Sequence, residues 1–239
     1  MKLDTHLHRI GNDIVAAYLV VTDEGITVVD AGLPGHWNDL VAELSSIGRG
    51  LADIRGLIVT HGDSDHLGFA ERLRCEVGVP VFVHSGDAAR AMGGEKPKLE
   101  MPKMRLAPTT GFFGYSLRKR GWRVPPLTAV TEVADGDVLP LPGAPRIISL
   151  PGHSPGSIAV HVPAADAVFV GDALTTRHVT TGRAGAQPAP FTDDPAEALA
   201  SLDRLAEVSA AWVLPGHGTP WHGSPADIVA AVRADAARA

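Results

Sequence analysis

His61-Gly62-Asp63-Ser64-Asp65-His66 follows directly on the apolar run Leu57-Ile58-Val59-Thr60. The run reads as a short buried strand and the six residues as the loop after it. Four of these six side chains can ligate a metal. One loop cannot easily aim all four at a single ion without strain, but it can divide them between two ions a few ångströms apart.

The same form, a short apolar strand and then a loop with His or Asp, recurs at four other places. These are Val28-Val29-Asp30, Leu150-Pro151-Gly152-His153-Ser154, Val170-Gly171-Asp172 and Leu214-Pro215-Gly216-His217-Gly218. In layered α/β folds such loops gather at one edge of a sheet, where sites form. His153, Asp172 and His217 would complete the shells of two ions. Asp172 is the natural bridge, because a carboxylate can offer one oxygen to each metal. Two metals flanking a shared water lower its pKa and supply a hydroxide nucleophile near neutral pH. A lone His or Asp at a strand end is an ordinary cap or turn residue; this many in order are not explained that way.

Around these loops strands and helices alternate. Ile14–Val21 and Ile26–Val29 read as a hairpin around Asp23-Glu24-Gly25. A helix carrying Trp37, Leu40, Val41, Leu44 and Ile47 on one face follows. The pattern then predicts a helix over Leu67–Val77, a strand over Val79–Val83, and strands over Arg146–Leu150, Ile158–Val162, Ala167–Val170 and Trp212–Leu214. Asp194-Pro195 and Ser224-Pro225 open two helices, with Asp193 or Asp194 capping the first. His6 and His8 precede the first strand and read as a surface edge. His36 reads as a turn residue and His84 as a cap or rim residue.

The chain has 239 residues, 45% hydrophobic and 20% charged, with a net charge of −6. That composition excludes a disordered chain, and the length excludes a disulfide-stapled mini-protein. A net acidic chain is a poor nucleic-acid binder. Cys75 stands alone, so no intrachain disulfide is available. No charged region precedes an apolar run at the N-terminus, and Ile14–Val21 is too short to cross a bilayer. The expectation is a single domain over 1–239, cytoplasmic, with no membrane span.

The segment over about 86–126 differs, being rich in Gly, Pro, Met and basic residues with little periodicity. Between Glu95 and Arg123 eight Lys/Arg face Glu95 and Glu100 alone, +6 locally, which leaves −12 for the rest. It reads as a lid-like insertion. Phe112, Phe113, Tyr115 and Trp122 would form an apolar wall, Arg118 and Arg120 a basic rim, and His178 a further pocket residue. Such a lid selects an anionic small molecule.

The order Asp30, His61-x-Asp63-x-Asp65-His66, His153, Asp172, His217 resembles the motifs of the metallo-β-lactamase fold superfamily, over nearly the whole chain. The resemblance implies an α/β (α+β) fold, a four-layer αβ/βα sandwich of two mixed sheets flanked by helices. It implies two divalent ions, Zn foremost, with Mn or Fe as alternatives. One ion would take His61, Asp63 and His153, the other Asp65, His66 and His217, with Asp172 bridging. Asp30 would orient the metal loop from behind. Asp65 and Asp172 would be catalytic, with Asp65 or a metal-bound water returning a proton to the leaving group.

The departure is Asp63, where most hydrolytic members carry His. With two divalent ions, three carboxylates and a bridging hydroxide the centre sums to 0, against +1 for the usual set. An added oxygen ligand favours Mn or Fe beside Zn. The function implied is a dinuclear hydrolase cleaving an ester, thioester or lactone. Its rivals are a phosphodiesterase or nuclease and an iron-dependent sulfur dioxygenase. A homodimer is a further expectation.

Overall fold

In the computed structural model, which describes residues 1–94 and 103–238, the strands form two mixed sheets. The first contains β1 (Leu7–Gly11), β2 (Ala16–Thr22), β3 (Gly25–Val29), β4 (Ile54–Val59), β5 (Val81–His84) and β6 (Thr131–Val133), in that order. Its first three strands pair antiparallel and the remainder parallel. The second contains β7 (Arg146–Ser149), β8 (Ile158–Val162) and β9 (Ala167–Gly171). A hairpin of β10 (Thr175–Arg177) and β11 (Ala184–Gln187) stands apart from both sheets. The chain then returns to the second sheet with β12 (Trp212–Pro215), parallel to β9, and β13 (Trp221–His222).

Strand alternation builds the layers, because successive side chains point to opposite faces. On β2, Tyr18 and Val20 face the other sheet, while Ala17 and Leu19 face helices. On β4, Ile58 faces inward while Leu57 and Val59 face outward. On β9, Phe169 faces inward and Val168 and Val170 outward. Both faces of these strands are buried, which is why they read as continuous apolar runs.

Helices cover the outer faces. α1 (Trp37–Ser46) inserts Trp37, Leu40 and Leu44 against the first sheet. Val41 stays exposed and Ile47 caps the end, so the buried face is narrower than the spacing predicts. The expected helix over Leu67–Val77 is two: α2 (Ser64–Leu67) and α3 (Ala70–Val77). They part at Gly68, whose N–H donates to Gly32 O at 2.7 Å. A Cβ there would sit 2.2 Å from that oxygen, so the chain passes too close for a side chain.

The segment 86–126, expected to lack regular structure, carries α4 (Ser85–Ala91) and α5 (Leu106–Arg118). Glu95, Lys96, Lys98 and Glu100 lie outside the described residues. His84 caps α4, its ring accepting from Gly86 N. On the far side, α6 (Pro195–Ala206) is capped by Asp194, whose carboxylate accepts from Ala196 N and Glu197 N. α7 (Pro225–Ala236) is capped by Ser224. Leu202, Leu205, Ile228 and Val232 pack on the second sheet.

His8 departs from its expected place at a surface edge, whereas His36 keeps its turn but is buried in it. His8 lies inside β1 and is buried, its Nδ1 2.7 Å from Glu43 Oε1. His36 is fully buried in the 3-10 turn Pro34–His36, where Nδ1 accepts from Leu33 N and Nε2 meets Tyr115 Oη at 2.7 Å.

Candidate metal centre

Each chemistry-bearing residue stands at or just past a strand end on one edge of the sandwich. Asp30 follows β3, His61 follows β4, His153 comes after β7, Asp172 follows β9 and His217 comes after β12. Asp63 stands at the N-cap position of the single turn of α2, and Asp65 and His66 ride on that turn. Gly216 precedes His217 because nothing larger fits: a Cβ there would lie 2.5 Å from His66 Cε1 and 2.6 Å from Asp172 Oδ1.

The four imidazoles are oriented in the same way. His66 Nδ1 meets Asp30 Oδ2 at 2.8 Å, His153 Nδ1 meets Thr192 Oγ1 at 3.1 Å, and His61 Nδ1 meets Thr60 Oγ1 at 3.2 Å. His217 Nδ1 donates to Ile14 O. With Nδ1 engaged, Nε2 is the nitrogen left to aim at the centre. Asp30 also accepts from Thr60 N at 2.8 Å, and it takes a left-handed backbone (φ 60) to do so. Such a conformation costs on the order of 1–3 kcal/mol and persists where the surroundings over-determine it.

The facing atoms are spaced as ligand atoms around an ion. Asp63 Oδ2 lies 3.8 Å from His61 Nε2 and 3.6 Å from His153 Nε2. Asp65 Oδ2 lies 3.4 Å from His217 Nε2. Asp172 stands between the two groups, with Oδ2 3.0 Å from His217 Nε2 and 3.9 Å from His153 Nε2, and Oδ1 3.5 Å from His66 Nε2. Tetrahedral coordination with bonds of about 2.0–2.2 Å separates ligand atoms by roughly 3.4 Å. His61, Asp63 and His153 form one group that can hold an ion, and Asp65, His66 and His217 another.

The donor set fits a cation on independent grounds. Nε2 of His61, His66 and His153 and Oδ1 of Asp172 are buried without a hydrogen-bond partner. Leaving even one buried polar atom unsatisfied costs about 1–3 kcal/mol, so four in adjoining ligand groups call for cations. The electrostatics agree. Burial disfavours the charge of Asp172, yet His217 and His66 outweigh it and hold the carboxyl well below its ordinary range. Burial likewise opposes the charged forms of Asp65 and His217, but His217 and His66 outweigh it and hold Asp65 at about 2, and Asp172 and Asp65 raise His217 to about 10. Asp65 and Asp172 stay ionised and draw in positive charge.

Two further residues act on this centre and were not visible in the sequence. Asp87 and Arg90, three apart on α4, point to the same side. Asp87 accepts from Gly62 N, Ser154 Oγ and Gly156 N. Arg90 donates through Nε to Asp63 Oδ1 at 2.8 Å and through Nη1 to Asp193 Oδ2 at 2.7 Å. Burial opposes the guanidinium's charge, and Asp63 and Asp193 outweigh it and keep the group protonated.

A cavity of about 300 Å³ opens over Asp63, Asp65, His153, Asp172 and His217, with Val15, Leu33, Phe112, Val179 and Phe191 as apolar walls. Among the seven residues expected to bind substrate, Phe112 lines it. Helical spacing explains why: Phe112 and Ser116 face the cavity, which turns Phe113 outward at 58% exposure. Tyr115 bonds His36, Arg118 stacks over the Tyr115 ring at 5.4 Å, and Trp122 is 61% exposed. Arg120 is exposed, and His178 Nδ1 meets Thr180 Oγ1 at 3.1 Å. Among the described lining residues Arg90 is the one Lys or Arg. No helix among the described residues is long and apolar enough to cross a membrane.

The family model described as the metallo-beta-lactamase superfamily matches residues 10–217. The probable metallo-hydrolase YflN of Bacillus subtilis (strain 168) is 27% identical over 211 residues, covering 82% of this chain and 76% of that protein. A hydroxyacylglutathione hydrolase of Cereibacter sphaeroides is 29% identical over 119 residues, covering 49% of this chain and 33% of that enzyme. A metallo-beta-lactamase family protein of Thermus thermophilus superposes with a TM-score of 0.70 at 22% identity, covering 99% of this chain and 80% of that one. The last is a likeness of fold.

Proposed function

The chain belongs to the metallo-β-lactamase superfamily and is a metal-dependent hydrolase, and from that premise we propose that it holds two divalent ions and cleaves an ester, thioester or lactone. The observation that carries this reading is the convergence of four buried, unpartnered donor atoms on His61, His66, His153 and Asp172. His61, Asp63 and His153 would hold one ion, and Asp65, His66 and His217 the other, with Asp172 between them. Zn is the expected metal, with Mn or Fe as alternatives at the oxygen-richer first position. Bound there, the ions would lower the pKa of a water between them and polarise the bond under attack.

The protein's own residues do the rest. Asp65 borders the cavity and would take up a proton from the attacking water and pass it to the leaving group. The apolar walls hold the acyl or ring portion of the substrate and exclude water from it. Arg90 is committed to Asp63 and Asp193, so an anionic group on the substrate would lie outside the cavity. The partial likeness to a hydroxyacylglutathione hydrolase supports an acyl bond. A phosphodiester substrate is less well supported, because its charge would have to enter beside apolar walls.

The test is a hydrolysis panel on metal-loaded protein, comparing acyl esters, thioesters and lactones with aryl phosphodiesters. Turnover of the first three, lost in Asp172→Ala and His66→Ala, is expected. Turnover of phosphodiesters alone would overturn the reading.

A further inference from the structure

We propose that Arg90 makes Asp63 a one-oxygen metal ligand, so that an aspartate can serve where most hydrolytic members of the superfamily carry a histidine. The inference rests on the reading of Asp63 as a ligand and goes beyond it by assigning a device that makes the substitution work.

A histidine presents one nitrogen to a metal, whereas a carboxylate presents two oxygens. Left to itself, a carboxylate can chelate through both, crowding the neighbouring ligands and raising the coordination number. Here the two oxygens of Asp63 have different surroundings. Oδ1 faces α4, where Arg90 Nε donates to it at 2.8 Å and Nη2 lies 2.7 Å away. Oδ2 faces the imidazoles, 3.8 Å from His61 Nε2 and 3.6 Å from His153 Nε2. The guanidinium therefore engages one oxygen, and the other is the one turned toward the ligand nitrogens.

Arg90 is itself held in place. It is 7% exposed, and its Nη1 donates to Asp193 Oδ2 at 2.7 Å. Asp193 in turn donates its backbone N–H to His153 O at 3.1 Å. The chain Asp63–Arg90–Asp193 thus ties two members of the first ligand group together from behind. Its contribution is geometric more than electrostatic. Arg90 offsets the added charge of Asp63, but Asp193 returns a negative charge on the far side. A lysine would supply the charge without the planar fork. Arg90 touches no reacting atom; it is a positioning residue.

Cobalt(II) binding to the full chain tests the proposal, because the absorption of the bound ion reports its coordination as well as its affinity. Arg90→Met should weaken one of two cobalt sites about 10–100-fold, the usual effect of losing a group that orients a ligand, and change the absorption of that site while the other is retained. Arg90→Lys, which keeps the charge and guards against a folding failure, should give the same spectral change. In an Asp63→His background, Arg90→Met should no longer weaken binding, because a single imidazole nitrogen needs no such partner. Two cobalt sites of unchanged affinity and spectrum in Arg90→Met or Arg90→Lys would overturn the proposal. So would an equal loss of affinity from Arg90→Met in the Asp63→His background. Asp63→Ala separates the two levels of the argument: two unchanged cobalt sites in that variant would remove Asp63 as a ligand altogether.

Discussion

The Asp87 carboxylate accepts a hydrogen bond from the Ser154 hydroxyl at 2.7 Å, and the same oxygen accepts one from Gly62 N at 2.6 Å. Its other oxygen accepts from Gly156 N at 2.8 Å. One fully buried carboxylate on α4 thus joins the loop that carries His61 and Asp63 to the loop that carries His153. Hydrogen bonds to a charged group contribute about 1.5–3 kcal/mol each, and removing the acceptor leaves buried donors unsatisfied. Asp87→Ala should cost on the order of 3 kcal/mol and lower the metal content of the purified protein. Urea unfolding together with elemental analysis checks this; full metal content at wild-type stability would contradict it.

Asp30 touches His66 and Thr60 and stands behind the centre. Asp30→Asn leaves one acceptor oxygen, which Thr60 N holds, and turns an NH2 donor toward His66 Nδ1 in place of the acceptor that fixes its proton. A loss of about 10–100-fold in affinity for one ion is expected from the removal of such a partner, read by competition with a coloured chelator.

The cavity walls separate two groups of aromatic residues. Phe112 and Phe191 line the cavity, and Phe191 holds a left-handed backbone (φ 60) there. Phe112→Ala should raise KM for apolar acyl esters several-fold with a smaller change in kcat, the signature of lost uniform binding. Phe113→Ala, outside the cavity, should leave both unchanged. Equal effects of the two substitutions would contradict the placement of α5.

His36 gives the fold a pH dependence that is separate from metal binding. Burial and the nearby Lys119 push its pKa down to about 4, whereas in the unfolded chain it titrates near its ordinary value of about 6.5. The buried ring stays neutral while the unfolded chain takes up a proton. Stability from this group is complete above pH 6.5 and is lost progressively as the pH falls toward about 4. The full loss is about 3 kcal/mol. Urea unfolding of wild type and His36→Gln across this window measures it, the variant showing the shallower decline.

The strand-end loops were legible because an apolar run followed by Gly, His and Asp marks its own boundary. Val59-Thr60-His61 and Val170-Gly171-Asp172 needed no tertiary information to be read. The four layers came from the family resemblance, because helix and strand periods alone do not choose among layered α/β folds. Asp87 and Arg90 were hidden for a different reason. Ser85-Gly86-Asp87-Ala88-Ala89-Arg90-Ala91 has no large apolar residue to set a helical period, and its role appears once the helix lies against two metal loops. α5 shows the same limit: its aromatics are clustered in sequence, and helical geometry then sends Phe112 inward and Phe113 outward. β1 was missed because Leu7-His8-Arg9-Ile10 alternates weakly, and its polar members are buried by Glu43, Asp13 and Gly218 rather than by an apolar pattern.

The central claim is that two ions held by the seven His and Asp side chains carry the hydrolysis. The most direct test is elemental analysis of protein purified without added metal, with turnover followed as a chelator strips the ions and the same metal restores them. Two divalent ions per chain are expected, with turnover falling and returning in step with their number. Turnover that persists after both ions are gone would contradict the account.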